Sequence, residues 1–215
     1  AATGALSFQT APDHEAPSDA NADNVYDVTV QVSDGSLTAS QAIAVTVTAV
    51  NDNTPAITSG SAFSVAENST AVTTVTATDG DLPAQTLTYS ITGGADAARF
   101  TIDAATGALS FQTAPDHEAP SDANADNVYD VTVQGSDGSL TASQAIVVTV
   151  TGVNDNTPAI TLGSAFSVAE NSTTVTTVTA SDADLPAQTL AYGITGGADA
   201  ARFTIDAATG VLSFL

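Results

Sequence analysis

Apolar and polar residues alternate every second position along this chain, in short runs broken by turn-forming residues. Between residues 53 and 155, seven such runs stand out, at 61–66, 71–77, 86–91, 99–103, 108–112, 127–135 and 140–150. Their apolar members share one face of an extended backbone: Leu87, Tyr89 and Ile91; Phe100 and Ile102; Leu109 and Phe111; Tyr129, Val131 and Val133; Ile146, Val148 and Val150. Threonine takes many of the intervening positions, where β-branching favours the pleated backbone without adding apolar surface. Thr92-Gly93-Gly94, Asp103 to Gly107 and Ser136-Asp137-Gly138-Ser139 supply turns. The Ala-rich segment Ala95 to Ala98 has room for a single helical turn between Gly94 and Asp103, too little for a stable helix. Seven short strands in about one hundred residues predict an all-β fold, a seven-stranded Greek-key β-sandwich.

The pattern repeats with a period of 103 residues: Ala1 to Asp52 recurs as Ala104 to Asp155 with three differences, and Asn53 to Gln112 as Asn156 to Leu215 with eight. One period is long enough to bury its own core. The chain therefore reads as tandem modules: 1–52 the second half of one repeat, 53–155 a complete repeat, and 156–215 the first half of the next. A cut from a larger parent with many copies is expected, and attention moves to the joints between modules.

Charge narrows the function. Twenty-four Asp and Glu stand against two Arg and no Lys, a formal net charge of -22. Such a chain repels phosphate backbones and anionic lipid surfaces, which argues against nucleic-acid or membrane partners. At 43% hydrophobic residues in alternating order it is not a disordered acidic tail. Without cysteine there are no disulfides and no thiolate metal sites. No run of 18 apolar residues occurs to span a membrane as a helix. Catalysis has little to stand on. His14 and His117 are repeat equivalents without a nucleophile beside them, and a glycosidase reading of Asp116 with Glu118 lacks the aromatic platforms that bind sugar, since the chain has no Trp.

The acids gather at strand ends, not on strand faces: Glu67, Asp79 and Asp81, Asp116 and Glu118, Asp137, then Asn154 and Asp155. Carboxylates and amide oxygens at fixed spacing, uncompensated by Lys, are either solvated surface or ligands of a hard cation. An all-oxygen set without His or Cys clusters selects calcium, which accepts six to eight oxygens in irregular geometry, over magnesium with its strict octahedron. Without an ion, like charges meeting at a joint would repel and leave it flexible.

Five motifs in order carry a resemblance: Val65-Ala66-Glu67-Asn68; Asp79-Gly80-Asp81, with Asp182-Ala183-Asp184 in the next copy; Asp116-His117-Glu118; Asp137-Gly138; and Asn154-Asp155-Asn156-Thr157-Pro158. With them the period resembles a cadherin repeat, of the bacterial cadherin-like type found in large surface adhesins. The resemblance implies a cadherin-like, immunoglobulin-like sandwich in tandem, with calcium clustered at each joint. At the later joint it places two ions on Glu67, Asp116, Glu118, Asp155, the Val153 carbonyl and Asp184. A third lies between Asn154, Asp182, Asp184 and the Asn156 carbonyl, its remaining carboxylate beyond Leu215. At the earlier joint it places Asp13, Glu15, Asn51, Asp52, Asn53, Asp79, Asp81 and Asp137, with the equivalent of Glu67 upstream of Ala1. Glu170, the counterpart of Glu67 in the last copy, is counted with these ligands.

The pattern departs from the family where Ala49 and Gly152 replace a frequent Asp, and where His117 replaces Arg and reads as a solvent-facing spacer. Asp122 and Asp126, in the run Pro120 to Asn127, read as solvated loop. The implied function is a calcium-rigidified, non-catalytic spacer of a secreted or cell-surface adhesin, on the bacterial surface in association with the outer membrane. Its partners would be adjacent repeats of the same chain. The alternative is direct binding, either homophilic or to a carbohydrate or protein receptor. Near-identity of the copies favours the spacer, because a rod needs only repetition.

Overall fold

Alternation along the chain becomes alternation of burial in the computed structural model, which describes residues 4–215. In chain order the strands are β1 (Val25–Ser33), β2 (Thr38–Thr46), β3 (Ala56–Ile57), β4 (Ala62–Ala66), β5 (Ala71–Thr74), β6 (Ala77–Thr78), β7 (Thr88–Gly93), β8 (Phe100–Ile102), β9 (Ala108–Phe111), β10 (Val128–Ser136), β11 (Thr141–Thr151), β12 (Ala159–Ile160), β13 (Thr174–Thr177), β14 (Ala180–Ser181), β15 (Phe203–Ile205) and β16 (Val211–Phe214). The Ala-rich segments hold single 3-10 turns, at Ala97–Arg99 and Ala200–Arg202.

The central repeat is an all-β sandwich of a four-stranded sheet in the order β4-β11-β10-β7 and a three-stranded sheet in the order β5-β9-β8. All seven predicted strands are present. The run 71–77 is broken, however, because its two parts serve different partners: β5 joins β9, while β6 pairs with β3. At the break Val75 is fully buried and its N–H donates to the Gly107 carbonyl at 2.8 Å, while Thr76 accepts from Thr58 at 2.7 Å. Gly107 permits this with φ +73°, since a Cβ there would lie 2.2 Å from the Val75 oxygen. The two-residue β3 lay below the length at which alternation is visible.

The chain divides into two compact units, each described by itself. The first takes its residues up to Phe63 with 72–110 and 130–147; the second takes 64–71, 111–129 and 148–215. In the first unit the buried apolar residues are Val75, Phe100, Leu109, Val131, Val133 and Ile146. Each fully buried Val or Leu contributes roughly 1.5–3 kcal/mol. The hairpin of β1 and β2 pairs antiparallel from Val25 opposite Thr46 to Ser33 opposite Thr38. In the second unit the core is Val65, Phe111, Tyr129, Val148 and Val150. The Phe111 and Tyr129 rings meet edge to face at 5.0 Å, and the Tyr129 hydroxyl accepts the Ser121 N–H at 3.2 Å, so the ring is buried without stranding its polar end. The second unit also carries β12 paired with β14, and the sheet β13-β16-β15.

Candidate metal centre

The recurring spacing of the repeat puts acids where strands end. Asp79 and Asp81 follow β6, Asp137 follows β10, Glu67 follows β4, and the segment Asn51 to Asn53 lies between β2 and β3. In the first unit two groups of carboxylate oxygens form, Glu15 with Asp52 and Asp81, and Asp79 with Asp81 and Asp137. In the second unit Glu67, Glu118 and Asp155 form a third, the ligand atoms of each group lying within 4.8 Å of one another.

Backbone N–H groups hold these side chains. In the first unit, Asp81 Oδ1 accepts from the Asn53 N–H at 3.1 Å and Asn53 Nδ2 at 2.8 Å, and Asp79 Oδ1 accepts from the Asp81 N–H at 3.0 Å. Asp137 Oδ1 accepts the N–H groups of Ser139 and Leu140, both at 2.7 Å. Glu15 Oε1 takes the Leu82 N–H at 3.1 Å. Asp13 turns its Oδ1 to the N–H groups of Glu15 and Ala16, and belongs to neither group.

The second unit repeats the scheme. Asp184 Oδ1 accepts from the Asn156 N–H and Asn156 Nδ2, each at 2.9 Å, Asp182 Oδ1 from the Asp184 N–H at 3.0 Å, and Glu118 Oε1 from the Leu185 N–H at 2.8 Å. Glu67, 3% exposed, accepts the His117 N–H on Oε2 at 2.6 Å and the Val153 N–H on Oε1 at 2.7 Å. Asp155 accepts from Asn156 Nδ2 and from Asn68 Nδ2. Asp116 sets its Oδ1 on the N–H groups of Glu118 and Ala119 and lies outside the group, as does Glu170, which is exposed. The Val153 carbonyl and Asn154 lie in the connecting segment, with the Asn154 side chain exposed.

One oxygen of most of these carboxylates is thus spent on an N–H, and the other is left over. Asn51 Oδ1, Asp79 Oδ2, Asp81 Oδ2 and Asp137 Oδ2 in the first unit, and Glu118 Oε2 and Asp182 Oδ2 in the second, are buried and accept no hydrogen bond. A buried acceptor without a donor costs about 1–3 kcal/mol, more when charged. Oxygens left this way in a cluster are what a hard divalent cation would satisfy, so the donor set fits calcium.

Four of these acids, Asp81, Asp137, Asp184 and Glu67, are held below their ordinary values. Asn53's side-chain amide, together with the Asn53 and Asp52 N–H groups, outweighs burial and lowers the Asp81 carboxyl below the ordinary Asp value. Burial pushes Asp137 up, as does the charge of Asp81, but the Leu140 and Ser139 N–H groups and the Asn51 side chain bring it down. Burial likewise opposes, and hydrogen bonds from Asn156 and Asp155 overcome, in lowering Asp184. For Glu67 burial is outweighed by the N–H groups of His117 and Val153.

Two expectations change here. His117 is not a solvent-facing spacer: its Nδ1 is buried, 3.6 Å from Glu118 Oε1, and its backbone N–H serves Glu67. Asp122 is not solvated: it is buried, and accepts the N–H groups of Asp126 at 2.9 Å and Asn127 at 3.2 Å, closing its loop. Sequence reasoning also missed Gln85 and Gln188, which bond to Asn51 and Asn154. Their recurrence in the repeat was the available signal. Asn68, which closes the motif Val65-Ala66-Glu67-Asn68, adopts at φ +62° a left-handed conformation that Asn tolerates, and its side chain reaches Asp155.

Residues 61–151 match the cadherin domain family. The chain is 34% identical to human protocadherin Fat 1, over 91% of this chain and 4% of that protein, and 35% identical to the Drosophila melanogaster protein dachsous, over 80% and 5%. It thus spans only a small fraction of the length of these relatives. Among solved structures, protocadherin gammaB7 EC3-6 superposes with a TM-score of 0.64 at 27% identity, covering 94% of this chain and 51% of that one. Mouse cadherin-23 EC22-24 superposes with a TM-score of 0.61 at 26% identity, covering 93% and 66%. These relatives are metazoan, which overturns the expectation of a bacterial adhesin at the outer membrane; they support an extracellular domain of a eukaryotic cell-surface cadherin. The motifs that suggested otherwise report the spacing that oxygen ligands need, and that chemistry is the same in either lineage.

Proposed function

Since the repeat is a cadherin-type, non-catalytic adhesion module, we propose that the chain is a calcium-stiffened spacer in extracellular adhesion, with adjacent repeats of the same chain as its immediate partners. The joints lie at 52/53 and 155/156, between modules 1–52, 53–155 and 156–215. The observation that carries this reading is the set of buried oxygens that accept no hydrogen bond, gathered among the clustered carboxylates. At the earlier joint Glu15, Asn51, Asp52, Asp79, Asp81 and Asp137 would hold calcium, with Asp13 and the Asn53 carbonyl beside them. At the later joint Glu67, Asp116, Glu118, Asp155, Asp182 and Asp184 would do so, with Asn154 and the carbonyls of Val153 and Asn156. Glu170 would serve a further joint.

Calcium would cancel the repulsion among these carboxylates and tie a connecting segment to the repeat that follows it. Extracellular modules of this kind bind with Kd on the order of 10⁻⁴–10⁻³ M. The test is small-angle scattering from the 215-residue chain in millimolar calcium and in chelator. Stiffening with calcium, seen as a larger maximum dimension and a narrower distance distribution, is the expected result. Identical curves would return the acids to solvated surface.

A further inference from the structure

We infer that Gln85 and Gln188 are positioning residues that set the polarity of the joint asparagines, turning Oδ1 of Asn51 and of Asn154 toward the cation; this rests on the calcium reading of the joints. The problem they solve is specific to an amide ligand. An Asn carboxamide has nearly the same shape after a half-turn about its last bond, but one orientation offers a cation an oxygen and the other offers it two N–H donors. A carboxylate has no such ambiguity.

In the second unit a hydrogen-bond chain removes it. Gln188 Nε2 donates to Asp184 Oδ2 at 3.2 Å. An ionised carboxylate only accepts, so this bond fixes which end of the Gln188 amide faces Asp184. Gln188 Oε1 is thereby left for Asn154, whose Nδ2 donates to it at 2.7 Å. With Nδ2 committed, Asn154 Oδ1 points the other way. The polarity thus runs from an acid that cannot donate, through two amides, to an oxygen free to act as ligand.

The first unit repeats the link from asparagine to glutamine. Asn51 Nδ2 donates to Gln85 Oε1 at 3.1 Å, and Asn51 Oδ1 is buried and without a hydrogen-bond partner. In both units glutamine and asparagine are separated by 34 residues, so the pairing belongs to the repeat.

The experiment compares the wild-type chain with Gln85→Met and Gln188→Met together, by calorimetric titration with calcium alone and by thermal unfolding in chelator. Methionine keeps the volume and removes both polar ends. Calcium binding is expected to weaken roughly ten-fold, the lower end of what loss of an outer-shell partner costs, with little change in unfolding without calcium. Adding Asn51→Asp and Asn154→Asp to the double variant should restore affinity, because a carboxylate needs no orienting. Side-chain amide NMR in chelator gives a readout without the ion: the Asn51 and Asn154 NH₂ signals should lie away from the coil position in the wild type and move to it in the variants. If the wild type binds calcium and the methionine variants bind it equally well, the positioning role is overturned alone. If the wild type binds no calcium, the calcium reading falls first and the assignment with it.

Discussion

Most of the clustered carboxylates spend one oxygen on an N–H and leave the other over, and Glu67 is the exception, since both of its oxygens receive a backbone N–H in a site only 3% exposed. Glu67→Ala should therefore destabilise the chain by about 2–3 kcal/mol even in chelator, because the His117 and Val153 N–H groups lose their acceptor. Urea denaturation without calcium checks this; unchanged or increased stability would mean that Glu67 is a ligand and nothing more. Asp103 shows the same chemistry away from the metal clusters. The Thr106 N–H and hydroxyl and the Ala105 N–H lower its carboxyl below the ordinary 3.8, against burial. A depressed folded value means that the charged form stabilises the fold. The contribution is complete above the ordinary Asp value and is lost as pH falls through the depressed one. Asp103→Asn should thus lower stability by a constant amount near neutral pH, and the gap from wild type should close as acid titrates the wild-type carboxyl. A pH series of urea midpoints would show it; a gap constant into strong acid would refute it.

At the scale of elements, what matters is how closely a connecting segment approaches the strand ends beside it. A Cβ on Gly152 would stand 2.2 Å from the Leu185 carbonyl oxygen. The same Leu185 gives its N–H to Glu118. Gly152→Ala must push this backbone away, with an expected loss of about 1–3 kcal/mol and weaker calcium binding at the later joint. Ala49, the equivalent at the earlier joint, already carries a Cβ, so the approach there is wider. The reverse change Ala49→Gly should cost no more than about 1 kcal/mol, through backbone entropy alone. Urea denaturation of the two variants side by side distinguishes them, and equal effects would show that Gly152 is not held by its contact with Leu185.

At the scale of the whole molecule, a net charge of -22 makes any cation mildly stabilising through screening. Binding is separable from screening by comparing ions. Calcium at a hundredfold excess over Kd should add about 2.7 kcal/mol per site. Magnesium at equal concentration should add less, because its octahedron fits these irregular oxygens poorly, and sodium chloride at equal ionic strength less still. Thermal unfolding in the three salts is the measurement; superimposable curves would reduce the acids to a charged surface.

Alternation, turn residues and the repeat were enough to place the seven strands of the central sandwich and to gather the acids at strand ends, because each is a property of consecutive residues or of residue type. The runs holding Tyr129, Val131 and Val133 and Ile146, Val148 and Val150 became its buried faces for this reason. Tertiary structure decided what depends on partners distant in sequence. It split the run 71–77 between β9 and β3, since only the sheets determine where a strand must change partner. It buried Asp122, and it tied Glu67 to residues 50 and 86 positions away. It also chose which oxygen of Asp79, Asp81, Asp137, Glu118 and Asp182 is spent on an N–H and which accepts no hydrogen bond. That choice lies in the direction of donors brought in from other strands, and spacing along the chain carries no record of direction.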